Sequence, residues 1–423
     1  MPLADVFSLL VLGQGKSGLD VARWALAHPE RVSAVTVYGG GTSKPNDATR
    51  ALEAAGASFV YGTEQVEGAY DVCVTCPGIS EFSGFFKAGR NHAAQIMGEP
   101  EFAYRLSPDN WIAITGTNGK TTTTSLTDYL LKAAGEASVA VGNIGEPPVN
   151  EIDGRAHNEW FVAELSSYQI ATTTELHPRV AVLLNITPDH LKWHGSFEEY
   201  CAAKQRIYAN LVRSGGVAVM DAMNDIVRGY VRELKSIPAE ERGFSYIPIG
   251  TAEGLFTSMI DACGSENAAF VDGAELVVEF DGATYPLIEM NELQIPGEHN
   301  ISNALAAAAA ALAVGVEIDE VRAGLKSFTA LEHRIEACGA VGGVECYNDS
   351  KATNVDATLK ALTAFPDRKV VLLLGGRDKG TALDELVDAL VVCGRDGHDG
   401  NAELCLEHVD VDAAAVCHDL IHH

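Results

Sequence analysis

Basic residues are scarce in this chain. It carries 30 Lys and Arg against 58 Asp and Glu, a formal net charge of −28. That balance argues against a nucleic-acid or anionic-membrane surface, which requires a basic patch, and favours a soluble protein with locally basic pockets. Small anionic ligands remain open to it, because backbone N–H groups at a helix start and a few lysines hold phosphate even in an acidic protein. Long apolar runs are also missing. None approaches the roughly 20 residues of a membrane-spanning helix, so no membrane insertion is expected. The first residues, MPLADVFSLLVLGQG, show no basic leader, and their apolar run passes straight into a glycine turn, as a first β-strand does. The nine cysteines are scattered, and only Cys73 and Cys76 stand close together. No second pair or histidine cluster joins them to make a zinc or redox site, so they read as buried free thiols of a reducing cytosol. Internal repeats and low-complexity linkers are absent as well.

What is present is a long alternation of strands, glycine turns and helices. With 423 residues, 47% of them hydrophobic, the chain can build several cores. Three segments emerge. The first runs from strand FSLLVLG through GQGKSG into an Ala- and Leu-rich helix, then through VSAVTVY to YDVCVTCPG. The second opens with WIAITG, a glycine loop and the helix TTTTSLTDYLLKAAG, continues through FVAEL and VAVLLNIT, and has the helix NALAAAAAALAVG near its end. The third follows LEHRIE and holds the strand KVVLLLGG. Strands alternating with helices predict an α/β protein with parallel, doubly wound sheets. The expected boundaries give domains of 1–98, 99–330 and 331–423.

The strongest local signal is Thr115-Gly116-Thr117-Asn118-Gly119-Lys120-Thr121, set between an apolar strand and a helix. Gly116 and Gly119 let the backbone curl with its N–H groups inward, and the following helix offers its positive end to phosphate. Lys120 adds a mobile charge for the outer phosphates, and the Thr121 hydroxyl suits Mg²⁺. The common form of the loop has a further glycine where Ile114 stands. The plain alternative is a strand–helix turn that happens to contain Gly-Lys-Thr, but strand, turn and helix all occur in the required order.

Gly13-Gln14-Gly15-Lys16-Ser17-Gly18 also follows a strand and opens a helix, with dinucleotide-type glycine spacing. The next strand, however, runs into Val37-Tyr38-Gly39-Gly40-Gly41 rather than to an acid that would hold a ribose. A phosphate or diphosphate of another ligand fits better than NAD, and a purely structural turn is the alternative. Glu164 closes the strand FVAEL, a position from which a carboxylate can hold a nucleotide's metal ion or simply cap the next helix. Pro188 ends another buried strand and leaves Asp189 and His190 in a loop at the carboxyl edge of the sheet, where such folds bind ligands. Lys204 falls in the helix SFEEYCAAKQRIY, where a lysine is ordinarily solvated.

Taken together, GQGKSG, ITGTNGKTTTT, VGNIG, AELSSYQ, NITPDHLKWHGSFEEYCAAKQRIY, GEHNISNALAA, LEHRIE, YNDSKATN and LLLGGRDKG resemble the Mur ligase family in family order, from about residue 10 to residue 385. The string Asn348-Asp349-Ser350-Lys351-Ala352-Thr353-Asn354 resembles the branch that adds D-glutamate to UDP-linked muramoyl-alanine. The resemblance implies a Rossmann-like UDP-binding domain, a central phosphate-loop ATPase domain and a C-terminal Rossmann-like domain. It implies a cytoplasmic, monomeric, ATP- and Mg²⁺-dependent ligase of peptidoglycan precursor synthesis, and hence of cell-wall formation, cell shape and division. By the same resemblance, Gly13, Gln14, Gly15, Lys16, Ser17 and Asn143 contact the UDP substrate. Gly116, Thr117, Asn118, Gly119, Lys120, Thr121, Thr122, Asn303, Arg334 and Asp349 contact ATP. Thr121 and Glu164 hold one Mg²⁺, and His190 with a carbamylated Lys204 serves a second. Lys120, His190, Lys204 and Lys351 form the catalytic set, with Thr353 and Lys379 near D-glutamate. Arg334 also has an independent argument: a planar cation just past a domain boundary reaches a phosphate when the domains close.

Two other readings compete. A ligase adding glutamate to a folate would not need the glycine loop at Gly13 or the segment around it. A nucleotide-binding member with lost or weakened ligase activity is suggested by the stretch after Leu390. There the chain lacks the Ser-Pro-Ala-Cys-Ser-like segment that family members use on D-glutamate, and reads VVCGRDGHDGNAELCLEHVDVDAAAVCHDLIHH. Cys417, His418, His422 and His423 in that stretch match no familiar metal-site spacing.

Overall fold

The computed structural model describes residues 3–250, 267–295, 297–329, 333–352, 354–362, 364–365, 370–374, 386 and 405–406. The chain divides into two compact units, one of Met1–Ile288 with Ser302–Leu325, the other of Glu289–Ile301 with Lys326–His423.

The first unit holds two sheets. Strands β1 (Phe7–Leu12), β2 (Val32–Tyr38), β3 (Ser58–Val60), β4 (Tyr70–Thr75) and β5 (Ala93–Gly98) form a sheet in the order β3-β2-β1-β4-β5. Every pairing in it is parallel. Strand β1, FSLLVL, is an apolar run with only Ser8 half-buried, the pattern of a parallel strand covered on both faces. The helices are α1 (Lys16–Ala27), α2 (Asp47–Ala54), α3 (Gly84–His92) and α4 (Glu99–Leu106). The sequence anticipated β1, β2 and β4 but neither the three-residue β3 nor β5, whose residues range from exposed to buried.

The larger sheet contains β6 (Trp111–Thr115), β7 (Ser138–Gly142), β8 (Trp160–Glu164), β9 (Val180–Leu183), β10 (Val217–Asp221), β11 (Ser245–Ile249), β12 (Ala268–Asp272), β13 (Glu275–Phe280) and β14 (Ala283–Glu289). Their order is β14-β13-β12-β11-β10-β9-β6-β8-β7. From β7 to β12 the neighbours pair in parallel, while β13 returns antiparallel to β12. That antiparallel extension was not legible as a parallel-sheet pattern. Strands β6 and β9 are buried at every residue, and they sit side by side at the middle of the sheet.

Helices α5 (Lys120–Ala133), α6 (Ser167–Ala171), α7 (Leu191–His194), α8 (Phe197–Gln205), α9 (Asp225–Ser236) and α10 (Ala239–Arg242) follow the strands of this sheet. Side-chain caps mark several starts: Ser166, Ser196 and Asn224 each accept from the backbone N–H three residues on. No described helix is long and apolar enough to cross a membrane. Cys73 and Cys76 are buried and unbridged, as expected.

The second unit, by itself, contains the antiparallel hairpin β15 (Glu336–Val341) and β16 (Val344–Asn348) and the helix Val355–Leu362. The expected strand KVVLLLGG is described only at Leu373–Leu374, which pairs in parallel with Cys405–Leu406.

Candidate active site

The phosphate loop joins β6 to α5 at the centre of the larger sheet. Gly119 caps α5 at φ 84°, and a Cβ there would meet Asn303 Oδ1 at 2.4 Å, so glycine is required both for the turn and for the close approach. Asn303 is buried and accepts from Thr123 Oγ1 at 3.2 Å. The loop is stapled to the chain after β9. Thr117 N donates to Asn185 O (2.7 Å), Asn118 N to Asn185 Oδ1 (2.8 Å), and Thr187 N to Thr117 Oγ1 (2.9 Å). Thr121 is half-buried and Thr122 buried in the first turn of α5.

Lys120 folds back over its own loop, its Nζ donating to Gly116 O (3.0 Å) and Thr117 O (2.8 Å). Lys204 reaches the same carbonyl from α8, with Nζ 2.7 Å from Gly116 O and 3.3 Å from Thr115 Oγ1. The expectation of a solvated helical lysine fails here, because Lys204 is only 2% exposed. Its helix turns Tyr200, Ala203 and Lys204 inward together. Burial, and then the nearby Lys120 charge, hold the Lys204 ammonium well below its ordinary range, against the opposing pull of Asp189 and Glu164. Two lysines on one carbonyl repel each other, which favours the neutral form of the more buried one, Lys204.

Glu164 ends β8 and is 1% exposed. Its Oε1 accepts from Asn143 Nδ2 at 2.8 Å, and Asn143 N donates to Glu164 O at 2.8 Å. Its Oε2 is buried without a hydrogen-bond partner. Such an orphaned carboxylate oxygen is costly unless a cation completes it, so the Glu164 site fits a divalent ion. Among the described residues, no three His, Cys, Asp or Glu side chains converge into a metal cage. Mg²⁺ is commonly held by one or two carboxylates and completes its shell with phosphate oxygens and water.

His190 starts α7 in the left-handed region, at φ 55°, with its N–H held by Asp189 Oδ1 at 2.8 Å. Its exposed imidazole lies 3.4 Å from Asp189 Oδ2 and 4.8 Å, ring to ring, from Tyr168. A non-glycine residue in that conformation stores strain, a pattern that clusters at working sites. Tyr200, Ser167 and His194 were not singled out from the sequence. Tyr200 is buried, its hydroxyl is 2.8 Å from Thr117 Oγ1, and its ring centre is 5.0 Å from Lys204 Nζ. His194 is buried against Ser167. Aromatic and hydroxyl residues of this kind carry no sequence signal apart from core packing.

The first glycine loop is built differently. Gly13 has φ 93°, and a Cβ there would meet the Cys76 side chain at 2.9 Å. Gln14 Nε2 donates to Lys44 O at 3.2 Å, while its Oε1 is buried without a partner. Gly15 and Lys16 are exposed and Ser17 half-buried, and Lys16 pairs with Glu146 at 2.9 Å.

In the second unit, Asp349 Oδ1 accepts from Ile335 N at 3.2 Å. Burial raises its carboxyl above the ordinary range, opposed by that bond and by the Arg334 charge. Lys351 N donates to His333 O at 3.2 Å. Thr353 and Lys379 lie outside the described residues. A groove of about 470 Å³ between α8 and α9, lined by Phe197, Cys201, Ile226 and Tyr230 among others, borders none of the predicted site residues.

A parallel α/β sheet with a strand–glycine loop–helix at its centre, a lysine in the loop and a carboxylate on the neighbouring strand end defines a phosphate-loop protein. The Mur ligase middle domain matches residues 114–311, which include that loop. The UDP-N-acetylmuramoylalanine–D-glutamate ligase of Thermoanaerobacter pseudethanolicus is 35% identical over 384 residues, 90% of this chain and 80% of the relative. The enzyme of the same name from Acidobacterium capsulatum is 37% identical over 378 residues, 88% of this chain and 77% of its own length. The chain belongs to the Mur ligase family. Among solved structures, MurF from Acinetobacter baumannii shares the fold at a TM-score of 0.52 and 18% identity, covering 78% of this chain and 75% of that one.

Proposed function

We propose that this protein is the ATP-dependent ligase that joins D-glutamate to UDP-N-acetylmuramoyl-L-alanine, in peptidoglycan precursor synthesis. Mur ligases are ATP-dependent amide ligases that use Mg²⁺. The observation that carries the reading is the convergence of Lys120 and Lys204 on Gly116 O. Relatives of this name at 33–38% identity support the substrates.

A carboxylate is a poor electrophile, so it is first activated. Its oxygen attacks the γ-phosphorus, the bond to the β-phosphate oxygen breaks, and ADP leaves an acyl phosphate. The amine of D-glutamate then attacks the acyl carbon, the C–O bond to phosphate breaks, and the amine loses its proton. The loop amides and Lys120 hold the phosphates, with Thr122, Asn303, Arg334 and Asp349 completing the nucleotide site. Thr121 and Glu164 hold one Mg²⁺, and His190 and Lys204 serve a second. Bound Mg²⁺ offsets the negative charge that gathers between carboxylate and phosphate. A neutral Lys204 amine is the form that attacks CO₂, making an N–C bond and losing a proton. The resulting carbamate is an anionic oxygen ligand beside Lys120. Asn143 and the Gly13–Ser17 loop face the UDP substrate. Lys351, Thr353 and Lys379 serve the phosphates and D-glutamate. Domains of 1–98, 99–330 and 331–423 go with this division of labour, in a cytoplasmic monomer.

A coupled phosphate-release assay, with ATP, UDP-muramoyl-alanine and D-glutamate omitted in turn, tests this. Release that needs all three is expected. The divergent stretch after Leu390 favours a second reading, a member with weakened ligation. Its mark would be ordinary ATP binding with a D-glutamate KM far above that of the relatives.

A further inference from the structure

Helix α7 is a single turn with His190 as the cap residue just before it and His194 at its end. It is attached to α6 at two points. The Tyr168 ring lies between the His190 ring (4.8 Å) and the Trp193 ring (4.5 Å), stacked on the latter. His194 Nε2 makes a 2.9 Å hydrogen bond with Ser167 Oγ, both residues being almost wholly buried. Helix α6 begins three residues beyond the Glu164 strand end, and a reciprocal bond between Ser166 and Gln169 fixes its start. From its other side, His194 meets the Tyr200 ring edge-on at 5.3 Å, and Tyr200 is bonded to Thr117 of the phosphate loop.

We propose that His194 is a positioning residue that, through Ser167, ties the turn bearing His190 to the strand end bearing Glu164, and so sets the spacing of the two side chains that serve the metal ions. This rests on the ion assignment given above. His194 touches neither substrate nor metal. It acts as an outer partner that orients a ligand-bearing turn, a kind of residue whose loss weakens metal binding without unfolding the protein. The left-handed His190 makes such support necessary, because a strained turn keeps its conformation only when its surroundings over-determine it.

The test is a Mn²⁺ titration of the full chain, followed by electron paramagnetic resonance in the presence of a non-hydrolysable ATP analogue. The variants are Ser167→Ala, His194→Phe, their double mutant and His194→Gln. Ser167→Ala and His194→Phe should each weaken Mn²⁺ binding about ten-fold, and the double mutant no further, since both remove one bond. His194→Gln, which can still reach the Ser167 hydroxyl, should recover most of the affinity. Binding of the analogue without metal should stay within about two-fold. Mn²⁺ affinity in Ser167→Ala equal to that of the unmodified protein overturns the proposal, and this variant decides the matter even if His194→Phe does not fold. Unmodified protein that binds Mn²⁺ and analogue yet releases no phosphate with any substrate overturns the ligase reading instead, leaving the Mn²⁺ comparison intact.

Discussion

The two glycine loops share one plan and diverge in what surrounds them. Each follows a buried parallel strand and opens a helix, and each contains a positive-φ glycine and a lysine. At the first loop the space under the glycines is filled by the Cys76 side chain, and Lys16 points outward to Glu146. At the second loop Lys120 turns inward, Lys204 joins it, and the orphaned Glu164 oxygen stands on an adjacent strand. A shared strand–turn–helix therefore prescribes anion affinity, and the neighbours prescribe chemistry. Under the proposed function the first loop holds the UDP substrate and the second serves phosphoryl transfer.

The sharpest way to break this comparison is to remove each lysine. Lys120→Ala should fold normally and lose on the order of 10²-fold or more in kcat. Lys16→Ala should leave kcat within about two-fold, because an exposed ion pair contributes little. Steady-state kinetics on both variants settle it, and equal losses would erase the distinction.

Lys204→Ala tests the second loop from its other side. It should be nearly inactive, unresponsive to bicarbonate and partly restored by short carboxylic acids that supply the missing oxygen ligand. Full activity, or an unmodified amine in the active complex by intact-mass analysis, would remove the carbamate from the scheme.

The glycines offer a smaller effect. Gly13→Ala and Gly119→Ala each force a side chain into positive φ with contacts at 2.9 and 2.4 Å. Each should lose about 1–3 kcal/mol of stability in denaturant titrations. Gly119→Ala alone should also abolish ATP binding, while Gly13→Ala should weaken the UDP substrate instead.

The smallest effect concerns how the two loop helices are anchored. Helix α5 uses Asp128, paired with Lys132 and Ser138 at 2.8 and 2.7 Å. Helix α1 presents the buried Asp20 near Glu99, whose carboxyl is pushed up to about 8 by burial, opposed by the bond from Val149 N and assisted by Asp20. A carboxyl raised from 4.5 to about 8 is protonated in the folded state across that window. Its contribution is complete below the unfolded pKa and is lost as pH rises through the folded one. Glu99→Gln keeps an acceptor for Val149 N, so its Tm should stay flat between pH 6 and 9 while that of the parent falls. Parallel Tm curves would show that Glu99 is not the titrating group.

Much of this was legible in the chain itself. The strands FSLLVL and WIAIT, the loop at Gly116 and the helix after it follow from apolar runs, glycine spacing and position. Glu164 and His190 were legible as strand-end and loop residues. Lys204 was not legible from its own surroundings, since a helical lysine is ordinarily solvated and no local pattern marks that position as covered; only the family resemblance pointed to it. His194, Ser167 and Tyr200 were invisible for the same reason, since a hydroxyl or imidazole partner lies anywhere from 27 to 83 residues away.

The sequence by itself determined the main apolar strands, the parallel α/β class and the two phosphate-type turns, because these depend on backbone preferences and periodicity among near neighbours. Tertiary structure alone decided that a helical lysine, Lys204, is buried beside the phosphate loop, which carboxylate oxygen is left without a partner, and that the buried His194 meets Ser167. Those properties arise from desolvation and from groups that meet across the sheet. Burial is set by what distant segments lay over a residue, and no window of neighbouring residues contains that information.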